Sequence, residues 1–247
     1  YWQDKFSNNV LPLRVGNDVA TIDGVMDVIE ILSSRREYTK LNPLVVLLGK
    51  GEHEIVFPAA RNALIFTRNN ITFLGTGKDT TRILGGFYIV NQDNITFKNM
   101  TLTNTNENGF GIYTESATVE LFNVALKGCG RAALNMPTNT SKNTLVATRC
   151  EFANSRHGAY VEGSLTSATF KNCVFNDNQN CGILASKSTI HLHGEATAVH
   201  SNGSNGIAAM NSTKVIIHLP SHHNTSYNNR REDRKTSQGA TITNVED

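Results

Sequence analysis

The sequence predicts an all-β fold, a parallel β-helix in which short strands wind into stacked coils. Three observations carry this expectation. In residues 94–211 the column Met100, Val124, Cys150, Cys173, Thr197 steps by 24, 26, 23 and 24 residues. Two further columns keep nearly the same period: Asn104, Gly128, Asn154, Asn178, Asn202 and Gly111, Ala132, Gly158, Gly182, Gly206. A repeat of roughly 20–50 residues marks a solenoid, a propeller or an array. Each row also holds about three short alternating runs broken by Asn, Gly or Ser, such as Phe170-Lys171-Asn172-Cys173-Val174-Phe175. Such runs are too short for helices, and a period of two reads as strand. About eight coils of roughly 24 residues are expected. The Asn column fits a ladder, since Asn tolerates left-handed turns and its amides can bond from coil to coil. The Gly column fits a turn that excludes a Cβ.

In chain order, residues 1–17 read as irregular. Ile22, Val25, Met26, Ile29 and Leu32 fall at helix spacing, so a helix is expected over 20–33. A solenoid must cover the open end of its core, and this helix fits that role. Residues 1–42 are therefore assigned to an N-terminal segment with a capping helix. Val45-Val46-Leu47-Leu48 is the first expected strand, and Gly49-Lys50-Gly51 a turn. Residues 43–227 form the β-helix. The charge-rich stretch after Asn228, with the strand-like run at 240–245, reads as a polar C-terminal cap over 228–247 of the same domain.

The words Asn70-Ile71-Thr72-Phe73 and Asn94-Ile95-Thr96-Phe97 repeat 24 residues apart. The first continues as Leu74-Gly75-Thr76-Gly77-Lys78-Asp79-Thr80-Thr81-Arg82-Ile83. This stretch, with the order helix, short strand, glycine turn and coils, resembles the pectin-lyase-like right-handed β-helix superfamily across about residues 18–226. The resemblance implies a right-handed coil. The superfamily spans polysaccharide lyases, pectin esterases, polygalacturonases, uronan epimerases, phage tailspikes and members without known activity. The polygalacturonase aspartates, the pectin-esterase aspartates and arginine, the epimerase Asp-Pro-His-Asp and an Asp-rich calcium groove are all missing. No catalytic residue is carried over.

Composition narrows the partners. A net charge of +2 and a pI of about 8.4 lack the strong basic signature of nucleic-acid binding. No apolar run reaches the roughly 20 residues of a membrane span. No cofactor motif is present. Seven Asn-x-Ser/Thr sequons begin at Asn70, Asn94, Asn99, Asn139, Asn202, Asn211 and Asn224, several where the repeat itself favours Asn. Cys129, Cys150, Cys173 and Cys181 form no Cys-x-x-Cys pair, and Cys150 and Cys173 share a core column. They read as small buried, reduced side chains.

Alternation after the Gly column points Ile112, Thr114, Ala159 and Val161 inward and Tyr113, Glu115, Tyr160 and Glu162 outward. The outward columns then read Tyr113, Leu134, Tyr160, Leu184, Ala208 and Glu115, Met136, Glu162, Ser186, Met210. A partly apolar stripe on a wet face marks a binding surface. Tyr113, Glu115, Leu134, Tyr160, Glu162 and Leu184 are its candidate ligand-binding residues. Its occupant is a polysaccharide or a protein, including a second copy in a homo-oligomer or larger assembly; the N-terminal segment is the internal alternative. The leading expectation is a non-catalytic structural or binding module. A polyuronide lyase, epimerase or hydrolase using Tyr160, Glu162, His157 or Arg149 is the competing one, and a virion or tail component a third. Six late histidines, His191, His193, His200, His218, His222 and His223, suggest a metal. A constant period places no two of them in one column, with His193 over Thr169 and Ile217, so no metal site is expected.

Overall fold

A computed structural model describes residues 12–17, 20–56, 62–138, 140–218 and 225–246. The chain winds as a right-handed parallel β-solenoid of about 8 turns with one short helix near its N-terminus. One stack of strands runs from Leu13–Arg14 through Leu44–Leu47, Ile71–Leu74, Ile95–Thr103, Thr118–Lys127, Asn143–Thr148, Thr166–Lys171, Thr189–His193 and Lys214–His218 to Thr241–Val245. Shorter strands such as Glu151–Ala153, Val174–Asn176 and Ala198–His200 flank it in the same 16-stranded sheet. The third side of each coil belongs to an eight-stranded sheet: Ala63–Ile65, Gly86–Val90, Phe110–Glu115, Ala132–Met136, His157–Glu162, Ile183–Ser186, Ile207–Met210 and Arg234–Thr236. Every strand pairing is parallel.

Corners are sharp because single residues take left-handed backbone. Asn99, Asn123, Arg149, Asn172 and Gly194 have φ of 57°, 54°, 56°, 53° and 86° and follow one another at one corner. Asn and Gly populate this region most readily. At the next corner Asn154, Asp177, Ser201 and Asn228 do the same, with φ between 51° and 56°.

The predicted asparagine ladder exists over part of its column: it joins Asn178 and Asn202 and runs on to Asn229, while Asn104 bonds the Asn62 and Phe110 carbonyls instead. Asn178 Nδ2 donates to Asn202 Oδ1 at 2.9 Å, and Asn202 Nδ2 donates to Asn229 Oδ1 at 2.8 Å. The backbone N–H groups of Ser155, Asn178 and Asn202 donate to Oδ1 of Asn178, Asn202 and Asn229 at 3.1, 3.2 and 3.1 Å. Ser155, not Asn154, occupies the ladder in its coil; Asn154 is the exposed left-handed corner beside it. A second short ladder joins Asn94 Nδ2 to Asn70 Oδ1 at 2.9 Å.

The core column Met100, Val124, Cys150, Cys173, Thr197 is buried throughout. Like residues stack on like: Ile71, Ile95, Val119, Leu145, Ala168, Ile190 and Val215 lie in one register, and Phe73, Phe97, Leu121, Ala147, Phe170, Leu192 and Ile217 in another. Phe66, Phe73, Phe87 and Phe97 form an aromatic cluster in the first coils; Phe152, Phe170 and Phe175 form another further on. The four cysteines are free and buried. Burial pushes the Cys129 thiol up to about 11 and raises that of Cys173, so both stay protonated near neutral pH.

The helix spans Gly24–Arg35 and buries Val25 and Ile29, with Ile22 just before it, against the same core. Asp23 at its start does not cap the helix. Its Oδ2 instead accepts the Val56 N–H at 3.0 Å, tying helix to first coil. The N-terminal segment is less irregular than its sequence suggests, because Leu13–Arg14 pairs with Leu44–Leu47. At the other end Arg234–Thr236 and Thr241–Val245 add one more strand to each sheet, while 219–224 lie outside the described residues.

Asn202 is 1 % exposed, and removing its side chain breaks its bonds to the Phe175 and His200 carbonyls and strands the Asn178 N–H. Each stranded group costs about 1–3 kcal/mol. Asn202→Ala should therefore lose about 3 kcal/mol in chemical denaturation. Asn154→Gly, at an exposed left-handed corner, should stay within about 1 kcal/mol of the parent.

Candidate functional site

The outer face of the eight-stranded sheet carries the predicted stripe, with two corrections. Its register runs Ile65, Tyr88, Tyr113, Asn135, Tyr160, Leu184, Ala208, Lys235. Leu134 is not on it. It pairs with Ile112 and Ala159 and is fully buried, as is Met136 opposite Val161. The adjacent alanines Ala132 and Ala133 leave the coil's phase open by one residue in the sequence. A one-residue slip turns every side chain to the other face. In the structure Ala132 pairs with Phe110 and His157.

Tyr113, Glu115, Tyr160, Glu162 and Leu184 stand on the outer face as expected, each half-buried. The tyrosines and carboxylates engage each other within a strand: Tyr113 Oη donates to Glu115 Oε2 at 2.9 Å and Tyr160 Oη to Glu162 Oε2 at 2.7 Å. Tyr88 lies flat on Tyr113, ring centroids 4.4 Å apart and planes 9° off parallel, and Phe110 packs against Tyr113 at 5.6 Å. The aromatic surface is therefore wider than the two tyrosines predicted from sequence.

Beside this row lies a pocket of about 180 Å³ lined by Phe110, Arg131, Ala132, Asn135, Arg156, His157, Tyr160 and Leu184. Arg131 and Arg156 stand at equivalent positions of successive coils, each one residue before its strand, because Ala132 pairs with His157. Both are exposed, and neither forms an ion pair among the described residues. The Arg131 guanidinium sits 5.4 Å from the Phe110 ring centroid, a cation–π contact that fixes its position. Neither arginine is among the site residues expected from the sequence; the signal was the shared column one place ahead of the strand. Arg149, by contrast, belongs to a different corner, over Phe122, and is not part of this site.

His157 accepts from Asn180 Nδ2 at its Nε2, 3.3 Å away, which leaves the proton on Nδ1. That Nδ1 is buried without a hydrogen-bond partner. Burial, then Arg156 and Arg131, lower the His157 pKa from 6.5 to about 4, so the ring is neutral near pH 7. Burial, then the bond to Glu162, pushes Tyr160 up to about 12. The site thus holds two cations, a neutral imidazole with a spare donor, and a phenol committed to a carboxylate.

The late histidines also depart from a constant period. Ser167 pairs with Thr189 and Thr189 with Lys214, steps of 22 and 25 residues. Thr169 therefore faces His191, Lys171 faces His193, and His193 stacks on His218 with ring centroids 3.8 Å apart. The expectation that no two of them share a column is wrong. His200 pairs with Asn176 and with Tyr227; His222 and His223 lie outside the described residues.

A protonated His157 is disfavoured in the folded chain, so the unfolded chain takes up its proton first as pH falls. This group contributes no pH dependence above 6.5 and progressively destabilises the fold between 6.5 and about 4. His157→Gln should flatten that part of the melting-temperature profile, and the His157 imidazole should titrate near pH 4 by NMR.

No protein-family model and no curated protein matches this sequence. Solved structures do match in shape. A pectin methylesterase in complex with a hexasaccharide superimposes with a TM-score of 0.54 at 11% identity, covering 97% of this chain and 94% of that one. The Agl-KA catalytic domain superimposes with a TM-score of 0.53 at 13% identity, over 94% of this chain and 47% of that one. At such identities the likeness is one of fold: the chain is a right-handed parallel β-helix.

Proposed function

We propose that the chain binds an acidic polysaccharide, a polyuronide, across the outer face of the eight-stranded sheet. One observation carries this: Arg131 and Arg156, without an ion pair to a carboxylate among the described residues, converge with Phe110 and Tyr160 on one pocket. A guanidinium recognises a carboxylate with paired donors. The stacked Tyr88–Tyr113 pair and Tyr160 offer apolar area beside the pocket for sugar rings. The amide of Asn135, in the pocket lining, supplies hydrogen bonds to ring hydroxyls. A fold that holds a hexasaccharide in the pectin methylesterase structure is compatible with such a ligand.

The chemistry favours binding over turnover. A lyase needs a base for the sugar proton next to the carboxylate. The lone pair on His157 Nε2 is already taken up by Asn180, and Tyr160 is held as a phenol by Glu162. The lyase reading keeps one supporting feature, the neutral histidine between two arginines. Turnover would require Asn180 to swing away and free Nε2.

Calorimetry with polygalacturonate, alginate and a neutral glucan tests the proposal. Micromolar binding of the acidic polymers alone is expected, weakening with salt as exposed charges are screened. The double variant R131A/R156A should bind at least about tenfold more weakly, the equivalent of about 1.4 kcal/mol. Tyr113→Ala should weaken binding without loss of fold. Equal affinity for the neutral glucan would sink the proposal. A growing ultraviolet absorbance from an unsaturated product would replace binding by elimination.

A further inference from the structure

We propose that His191, His193 and His218 form a surface site for a divalent transition metal of the zinc type, built on two successive coils of the 16-stranded sheet. His191 and His193 sit two residues apart in Thr189–His193 and so face the same side. Lys214–His218, the next strand of the stack, brings His218 alongside. One ligand nitrogen from each ring lies within 4.8 Å of the other two. The His191 Nδ1 to His218 Nε2 separation is 3.0 Å. Ring centroids are 6.1, 5.3 and 3.8 Å apart for the three pairs. This is the only cluster of three or more such ligands among the described residues.

Donor type narrows the ion. Three imidazoles without a carboxylate or thiolate suit zinc, copper or nickel and disfavour calcium and magnesium, which take oxygen ligands. Zinc–nitrogen bonds of roughly 2.0–2.1 Å in a tetrahedral site put ligand nitrogens about 3.4 Å apart. The His191–His218 pair is already near that separation. The 3.8 Å stack of His193 on His218 has to open by turning one ring, since parallel rings aim their nitrogens side by side. All three side chains are half-buried, which leaves an entry path and at least one coordination position open to solvent.

The neighbours are consistent with an ion of modest affinity. In register, Thr169 and Ile216 flank His191, while Lys171 precedes His193 and Val245 follows His218. Lys171 is the one cationic side chain in these flanking positions, and its charge opposes the ion. The backbone on both coils is pinned by ladder hydrogen bonds, so the histidines approach one another without any loop having to order first. The cluster is remote in register from the arginine pocket, which lies on the other sheet, and does not depend on the polysaccharide reading.

The test uses the chain with any affinity tag removed and metal stripped by chelator, then titrated calorimetrically with zinc chloride. One equivalent of zinc should bind in the micromolar range. Cobalt chloride should give the intense visible absorption of a tetrahedral or five-coordinate nitrogen site. Altering an outer-shell partner of a metal typically costs 10–100-fold in affinity, so losing a ligand should cost at least about tenfold in each of H191A, H193A and H218A. His200→Ala, whose ring stacks on Tyr227 instead, should bind as the parent does. Lys171→Ala should tighten binding. Circular dichroism melts keep the result readable, since each variant must retain the parent fold to count. Absence of zinc heat in the parent, or full binding in H193A/H218A, would overturn the proposal; the second result would place the metal elsewhere on the chain.

Discussion

Everything in this molecule hangs on coil-to-coil register, and the buried corner amides enforce it. An asparagine amide carries donors and an acceptor at fixed spacing, so it can be satisfied along the solenoid axis only when its counterpart lies one coil away. Asn178, Asn202 and Asn229 meet that condition head to tail. The ladder closes on an acceptor: Asn229 donates from both its backbone N–H and its Nδ2 to Asp233 Oδ1, at 3.1 and 2.8 Å. A carboxylate only accepts, so it closes the ladder without leaving a donor that would need a further coil. At the opposite end Ser155 Oγ accepts from the Cys129 N–H at 3.0 Å, and a hydroxyl gives way to plain backbone.

A fixed register has a consequence for the core. Side chains stack on their own equivalents, so volume has to balance within a coil rather than by sliding coils past one another. Ala147 stands in a column otherwise filled by Phe, Leu and Ile. Its coil recovers the volume with Phe152, which packs edge-on against Phe170 of the next coil and flat against Phe175. This interlocking makes the wall behind the arginine pocket stiff. A ligand on that wall meets side chains already in place, which keeps the ordering cost of binding low.

The fold was legible because the period survived in residues of quite different chemistry. The word Asn-Ile-Thr-Phe at 70 and 94 returns as paired strands with Asn70 bonded to Asn94. The left-handed corners were legible where they hold Asn or Gly and invisible where they hold Arg149 or Lys187. There the ladder on either side forces the backbone, and the residue bears roughly 1–2 kcal/mol of strain. Within the site, the alternation of Tyr113, Glu115, Tyr160 and Glu162 was readable from period two alone. Leu134 was misplaced because Ala132 and Ala133 look alike to any small-residue column. Arg131 and Arg156 escaped notice because they stand outside the strands, where alternation says nothing.

Those misreadings share a cause that bears on function. A perfect repeat places only equivalent residues side by side, and equivalent residues in a structural repeat are chosen for stacking. A short coil followed by a long one breaks that equivalence. Phe110 to Ala132 is 22 residues and Ala132 to His157 is 25. The same pair of steps, 22 and 25, separates Ser167, Thr189 and Lys214. In the first case the unequal steps set Arg131 beside Arg156 next to an aromatic row; in the second they set His193 on His218. Both juxtapositions would be absent from a chain of constant period. The places where a solenoid departs from its own repeat are therefore where new chemistry can assemble without disturbing the ladders that hold the coils. On that argument, deleting one residue between His193 and Lys214 would shorten that 25-residue step to 24 and move His218 one place out of phase with His193, while the coils on either side keep their ladders.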